Sequence, residues 1–180
     1  MPTIVVPYRG DAKRRLSPSV RAGAALAMLG DVVEAASSVG RVVVVTDDAE
    51  VVPTGAEAVA DPGRGLGAAV AAGLAEAEGQ ALVVNADLPC VTPDAISRLA
   101  AHGLALVEAA DGTTNALSLP VPELFAPLYG PGSAARFRAH APFRTVRIPE
   151  LELDVDVDDD LERLPLDVGR RTRALLAVHV

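Results

Sequence analysis

Short runs of aliphatic residues recur along the chain, and each gives way to a stretch in which apolar residues keep helical spacing. "TIVVPY" (3–8), "RVVVVTDD" (41–48) and "ALVVNAD" (81–87) are too short for core helices and too uniformly apolar for strands with one wet face. They predict strands buried on both sides. Between them, helical patterns cover 20–39, opened by "SPS" and closed by Gly40, and 66–78, closed by Gly79. "AEAVADPGRG" (56–65) holds a brief strand and a glycine turn, and "TPDAISRLAAH" (92–102) a helix with Thr92 as N-cap and Pro93 at its first position. The order β-α-β-β-α-β-α is the rhythm of a doubly wound parallel sheet. Beyond residue 102 the pattern loosens. "GLALVEAA" (103–110), "NALSLP" (115–120) and "FRTVRIP" (143–149) predict strands, with helices near 121–126 and 132–141. "VDVDDDLERLP" (155–165) then leads into a last amphipathic helix, "VGRRTRALLAVHV" (168–180). No internal repeat or linker divides the 180 residues, so a single domain spanning 1–180 is expected.

Composition narrows the chemistry. Half the chain is apolar but only 3% aromatic, so the core must be Val, Leu, Ala and Ile. A net charge of −8 argues against a general nucleic-acid binder while leaving room for a small anionic substrate held by local Arg and Lys. The one cysteine, Cys90, excludes an internal disulfide and a cysteine-based metal cluster, and reads as a small buried hydrophobe. No charged leader opens the chain, and no run reaches the roughly 20 apolar residues of a spanning helix. A cytoplasmic protein with no membrane partner is expected.

Ligands of open parallel sheets bind beyond the carboxyl ends of the strands, where Asp47, Asp48, Asp61, Asp87 and the loop after the first strand are expected. That loop, "PYRGDAKRRLS", carries Lys13, Arg14 and Arg15 between strand and helix, where cations and backbone N–H groups converge on phosphates. It matches neither the G-x-x-x-x-G-K-[ST] nor the G-x-G-x-x-G pattern. Asp87 sits where a buried strand runs out, followed by Leu88 and Pro89. Aspartate often ends a strand simply as a turn former, but a second acidic cluster shifts the balance. Asp158, Asp159 and Asp160 suit a helix N-terminus. Asp154 and Asp156 alternate with Leu153 and Val155, which predicts two acids on one non-core strand face. Paired acids in a protein with a phosphate-type loop point to Mg²⁺. A third cluster combines "DGTTNALSL" (111–119) with "YGPGSAARFRAH" (129–140). Gly130 and Gly132 form a turn, and Ser133 opens a helix whose free N–H groups would face an anion. Arg136 and Arg138 follow early in that helix, against the dipole preference.

The fragments "VPYRGDAKRRLS", "GLGAA", "NADLP", "GTTNALSL", "YGPGS" and "LDVDVDDDL" resemble, in this order, the 2-phospholactate / phosphoenolpyruvate guanylyltransferases of deazaflavin coenzyme F420 biosynthesis. The resemblance runs from about residue 3 to 163. It implies an α/β, Rossmann-like nucleotidyltransferase fold: a mostly parallel mixed sheet flanked by helices. Asp87 and Asp156 would ligate Mg²⁺, and Thr114, Gly130 and Ser133 would hold the carboxylate of the phospho-acid. Pro7, Lys13, Arg15 and Gly67 would meet the nucleotide, Lys13 and Arg15 doing the catalytic work of neutralising the triphosphate. The family pattern usually shows Asn at the position of Gly67, "AKSRL" for "AKRRL", "GGTNAL" for "GTTNAL" and "DVDTPEDL" for "DVDVDDDL". The implied reaction joins GTP to the phosphate of the phospho-acid and expels pyrophosphate, with a transient partner enzyme that uses the unstable product. Phosphoenolpyruvate is favoured over 2-phospholactate on the high-GC character of the composition, and the oligomeric state stays open. Two alternatives stand beside it. One is a molybdopterin or sugar-phosphate nucleotidyltransferase, whose G-G-x-S/G-x-R-M loop is missing here. The other is a phosphoacceptor signalling domain using Asp47, Asp48, Asp87 and Thr114.

Overall fold

The structure is a computed structural model and describes residues 1–10, 18–164 and 167–179. Lys13, Arg14 and Arg15 therefore lie outside the described residues. Seven strands form one sheet: β1 (Thr3–Pro7), β2 (Arg41–Thr46), β3 (Ala56–Ala60), β4 (Ala81–Val84), β5 (Ala105–Glu108), β6 (Thr114–Leu119) and β7 (Arg144–Thr145). Their order is β3-β2-β1-β4-β6-β5-β7. β6 is antiparallel to β4 and β5, and every other pairing is parallel.

The uniformly apolar strands are buried on both faces with the period of two. Ile4, Val6, Val42, Val44, Leu82 and Val84 face α1 (Pro18–Ser37) and α3 (Pro93–Ala100) through Leu29, Val32, Ile96 and Leu99. Val5, Val43, Val45 and Val83 face α2 (Leu66–Leu74) and α4 (Ser133–His140) through Val70, Leu74 and Phe137. Truncating a fully buried member such as Leu82 to alanine would cost about 2–5 kcal/mol. Four of the five aromatic residues gather on the α4 side, where Phe125, Tyr129, Phe137 and Phe143 meet edge-on or tilted at centroid distances of 5.4–6.3 Å. They anchor the segment that leads into α4.

Thr92 accepts the Ala95 N–H at 3.1 Å and Pro93 opens α3, as the capping pattern requires. The later elements are shorter than the hydrophobic pattern suggests. α2 stops at Leu74, because the N–H groups of Glu76 and Ala77 turn back to the Gly73 and Leu74 carbonyls. The helix expected near 121–126 is a single 3-10 turn, Pro122–Leu124. "FRTVRIP" yields only the two residues of β7, since Pro149 instead starts a short helix, α5 (Pro149–Glu152). The strand expected to carry Asp154 and Asp156 is absent. Residues 153–157 form a loop whose Val155 is buried while Leu153 stays 38% exposed. α6 (Asp158–Glu162) and α7 (Arg170–His179) complete the chain, and Val155, Leu161, Leu175 and Leu176 pack on Ala24 and Met28 of α1.

Candidate active site

Parallel β1–β4 bring the ends of four strands to one edge, and antiparallel β6 delivers its first residue, Thr114, to the same edge. Asp87 follows β4 in a turn held from two sides. Its carbonyl accepts the Val155 N–H at 3.2 Å, and the Pro89 carbonyl accepts the Gly169 N–H at 2.8 Å. The first of these bonds lays the 154–156 loop against Asp87 without a sheet ladder. Asp160 fixes the far side of that loop, its Oδ2 accepting the N–H groups of Asp156 at 2.8 Å and Val157 at 2.9 Å. At the near side, Asn115 Nδ2 donates to the Glu152 carbonyl at 3.2 Å.

The result is a trio. Carboxylate oxygens of Asp87, Asp154 and Asp156 all lie within 4.8 Å of one another. Burial, then the charges of Asp87 and Asp156, push the Asp154 carboxyl up to about 6, partly opposed by a hydrogen bond with Asn115. Three crowded carboxylates favour a cation, and an all-oxygen donor set suits a hard ion of the Mg²⁺ type. Asn85 adds to the fit. Its Nδ2 donates to the Thr114 carbonyl at 3.3 Å, while its Oδ1 is buried in the cavity wall with no hydrogen-bond partner among the described residues. The two acids that the resemblance implies as ligands lie together, and Asp154, paired with Asp156 in the sequence pattern, joins them. Asp47 and Asp48 stay exposed outside the trio, and Asp48 instead caps a 3-10 turn by accepting the Glu50 N–H. That removes the acid pocket of a phosphoacceptor domain.

Asp87 and Asp156 line a cavity of about 360 Å³ together with Pro7, Tyr8, Arg9 and Leu66. Arg9 was not singled out by its sequence. Its Nε lies 3.6 Å from Oδ2 of Asp61, whose side chain is 1% exposed and also accepts the Gly63 N–H at 2.8 Å. A buried acid thereby ties the loop after β1 to the glycine turn after β3. Gly67 lines a different cleft, together with Arg64, Pro127, Tyr129 and Gly130. A Cβ on Gly67 would lie 2.7 Å from Cβ of Pro127 and 3.0 Å from its Cα, so the asparagine of the family pattern cannot stand there without displacing that loop.

Thr114 and Ser133 are both buried, and their hydroxyls hydrogen-bond to each other at 3.0 Å. The start of α4 differs from expectation. The Ser133 N–H is bonded to the Gly130 carbonyl at 3.0 Å and the Ala134 N–H to the Gly112 carbonyl at 3.3 Å, so neither is free for an anion. Cys90 is buried and burial pushes its thiol up, in keeping with a packing role.

Comparison with known proteins agrees with this geometry. The MobA-like NTP transferase domain matches residues 20–136. A phosphoenolpyruvate guanylyltransferase of Streptomyces coelicolor is 38% identical, over 97% of this chain and 95% of its own. A 2-phospho-L-lactate guanylyltransferase of Natrialba magadii is 33% identical, over 95% of this chain and 86% of its own. The chain belongs to the phosphoenolpyruvate / 2-phospho-L-lactate guanylyltransferase family. Like that family, it is a nucleotidyltransferase. The fold agrees too: a nucleotide-diphospho-sugar transferase structure from Desulfovibrio desulfuricans G20 superposes with a TM-score of 0.70 at 17% identity, covering 99% of this chain and 96% of that one. No described helix is long and apolar enough to cross a membrane. In a guanylyltransferase of this family, the residues that sequence reasoning passed over are Arg9, Asn85 and Asn115. The signals were faint. Asp61 and Asp160 stood out only as a strand-end acid and a helix-start acid, whereas Arg9, Asn85 and Asn115 meet partners distant in sequence.

Proposed function

We propose that this chain joins GTP to phosphoenolpyruvate, releasing pyrophosphate and giving enolpyruvoyl-2-diphospho-5'-guanosine for deazaflavin coenzyme biosynthesis in the cytoplasm. The observation that carries the reading is the Asp87, Asp154 and Asp156 trio, two of whose members line a cavity beyond the parallel strands. Asp87 and Asp156 would hold Mg²⁺, with Asp154 beside them, its carboxyl pushed up by burial and by their charges. Bound Mg²⁺ supplies charge neutralisation to phosphate oxygens. The chain's own part is alignment. The phosphate of the phospho-acid is already anionic at neutral pH and needs no general base to attack the α-phosphorus of GTP. The Gly130 turn, backed by the buried Thr114–Ser133 hydroxyl pair, would seat the carboxylate of the phospho-acid, and Pro7, with Lys13 and Arg15, the nucleotide. One domain would carry both substrates.

Support for phosphoenolpyruvate over 2-phospholactate comes from relatives. Those at 37–38% identity, from Streptomyces coelicolor and Sphaerobacter thermophilus, are named for phosphoenolpyruvate, against 33% for the 2-phospho-L-lactate enzyme of Natrialba magadii. Pyrophosphate release should be measured for each nucleoside triphosphate with each phospho-acid and Mg²⁺. GTP with phosphoenolpyruvate should be fastest. Faster turnover of a sugar phosphate or a molybdopterin would sink the reading.

A further inference from the structure

Arg136 occupies the first turn of α4, where a cation near the helix N-terminus is disfavoured by roughly 0.3–1 kcal/mol. Its guanidinium does not reach outward. Nε and Nη2 donate to the Leu128 carbonyl at 3.1 and 2.8 Å, Nη2 also to the Tyr129 carbonyl at 3.0 Å, and Nη1 to the Pro131 carbonyl at 2.5 Å. One planar fork thus gathers three carbonyls of a single four-residue turn.

The peptide bonds of this turn are trans. In a trans peptide the carbonyl of one residue and the N–H of the next point in opposite directions. Turning the carbonyls of Leu128, Tyr129 and Pro131 toward Arg136 therefore turns the N–H groups of Tyr129, Gly130 and Gly132 to the opposite side. Among the described residues, none of these three N–H groups has a hydrogen-bond partner. Gly130 at φ 113 and Gly132 at φ 69 supply the left-handed backbone that such a concavity of amides requires. These are the free donors that the first N–H groups of α4 do not provide.

We infer that Arg136 is a positioning residue for the phospho-acid: it holds the 128–131 carbonyls on one side so that the amides of Tyr129, Gly130 and Gly132 are fixed to receive the substrate carboxylate. The inference rests on the proposed seating of the phospho-acid at the Gly130 turn. Arg136 itself touches no substrate, and its contribution is preorganisation of neutral donors, which suits an anion site in an acidic protein.

The test is calorimetric titration of the full chain with phosphoenolpyruvate, and separately with 2-phospholactate, in Mg²⁺, together with steady-state kinetics. Arg136→Ala should weaken phospho-acid binding at least about tenfold while KM for GTP moves less than about twofold, and low millimolar guanidinium should restore part of the loss. Arg136→Lys should lie between, since one ammonium cannot span three carbonyls. It decides the matter should the alanine variant not fold. Arg138→Ala, which removes a neighbouring surface cation paired with Glu108, should bind as the parent does. Gly130→Val separates the two layers of the reading. If Gly130→Val loses the phospho-acid while Arg136→Ala and Arg136→Lys keep native affinity, the positioning role is overturned and the pocket stands. If Gly130→Val binds normally, the substrate does not sit at this turn, and the role of Arg136 falls with it.

Discussion

Asp87, Asp154 and Asp156 crowd negative charge into a half-buried corner, and two expectations follow from that. First, Asp87→Asn and Asp156→Asn should each lower turnover roughly a hundredfold or more, the loss of several kcal/mol of charge stabilisation at a phosphoryl-transfer site. Near-normal rates at limiting Mg²⁺ would dismiss the ligand assignment. Second, Asp154 makes the metal-free chain pH-sensitive. Its folded carboxyl sits near 6, above the roughly 3.9 of an exposed aspartate, so the folded chain keeps a proton that the unfolded chain has released. Stability from this group is therefore complete below about pH 4 and is lost as pH rises through 6. In chelator, Asp154→Asn should match the parent at acid pH and exceed it above pH 7 by about 1 kcal/mol, a figure already reduced for solvent screening. Thermal melts from acid to alkaline pH check this, and saturating Mg²⁺ should reverse the order by stabilising only the parent. Asp87 was legible because it stops a buried strand, and Asp156 through the family resemblance. Asp154 was legible only as the partner of Asp156 on one face; that it meets Asp87 was not, because the bond from the Val155 N–H to the Asp87 carbonyl joins segments far apart in sequence.

At the scale of elements, the start of α7 is capped by a side chain of α1. Asp31 is buried, and its carboxylate accepts the N–H groups of Arg171 and Thr172 at 2.9 Å and the Thr172 hydroxyl at 2.8 Å. It satisfies the open N-terminal donors of α7 as a cap would, but from another helix. Asp31→Ala should destabilise the chain by about 2–4 kcal/mol by orphaning these donors, and hydrogen exchange should show α7 amides opening first. Uniform loss of protection across the sheet would instead make Asp31 part of the central core. No local pattern marks such a cap, since Asp31 reads as one more polar residue of α1. Strong periodicity made β1, β2, β4 and α3 legible, their propensity and packing agreeing. "FRTVRIP" and "LELDVDV" misled because their alternation of apolar and polar residues is that of a strand, while Pro149 and the contacts to Asp87 dictate a helix turn and a loop.

For the whole molecule, the antiparallel β6 decides which parts of the chain meet. It lets Thr114, at the start of a strand, stand beside residues that follow the ends of β1, β2 and β4. It also fills the place between β4 and β5, so sequence order and spatial order part company there. During synthesis this has a cost. A nascent chain that has completed β1 to β4 can pair them all in parallel, but β4, whose four residues are fully buried in the finished protein, then has one bare edge. That edge stays open until β6 emerges, after α3 and β5 have already been made. An unpaired apolar strand is a template for pairing with other chains. A nascent chain that has emerged from the ribosome through β5 but not yet through Thr114 thus displays this edge, and translational pauses that hold it at that stage should lower its soluble yield more than pauses after β6 has emerged.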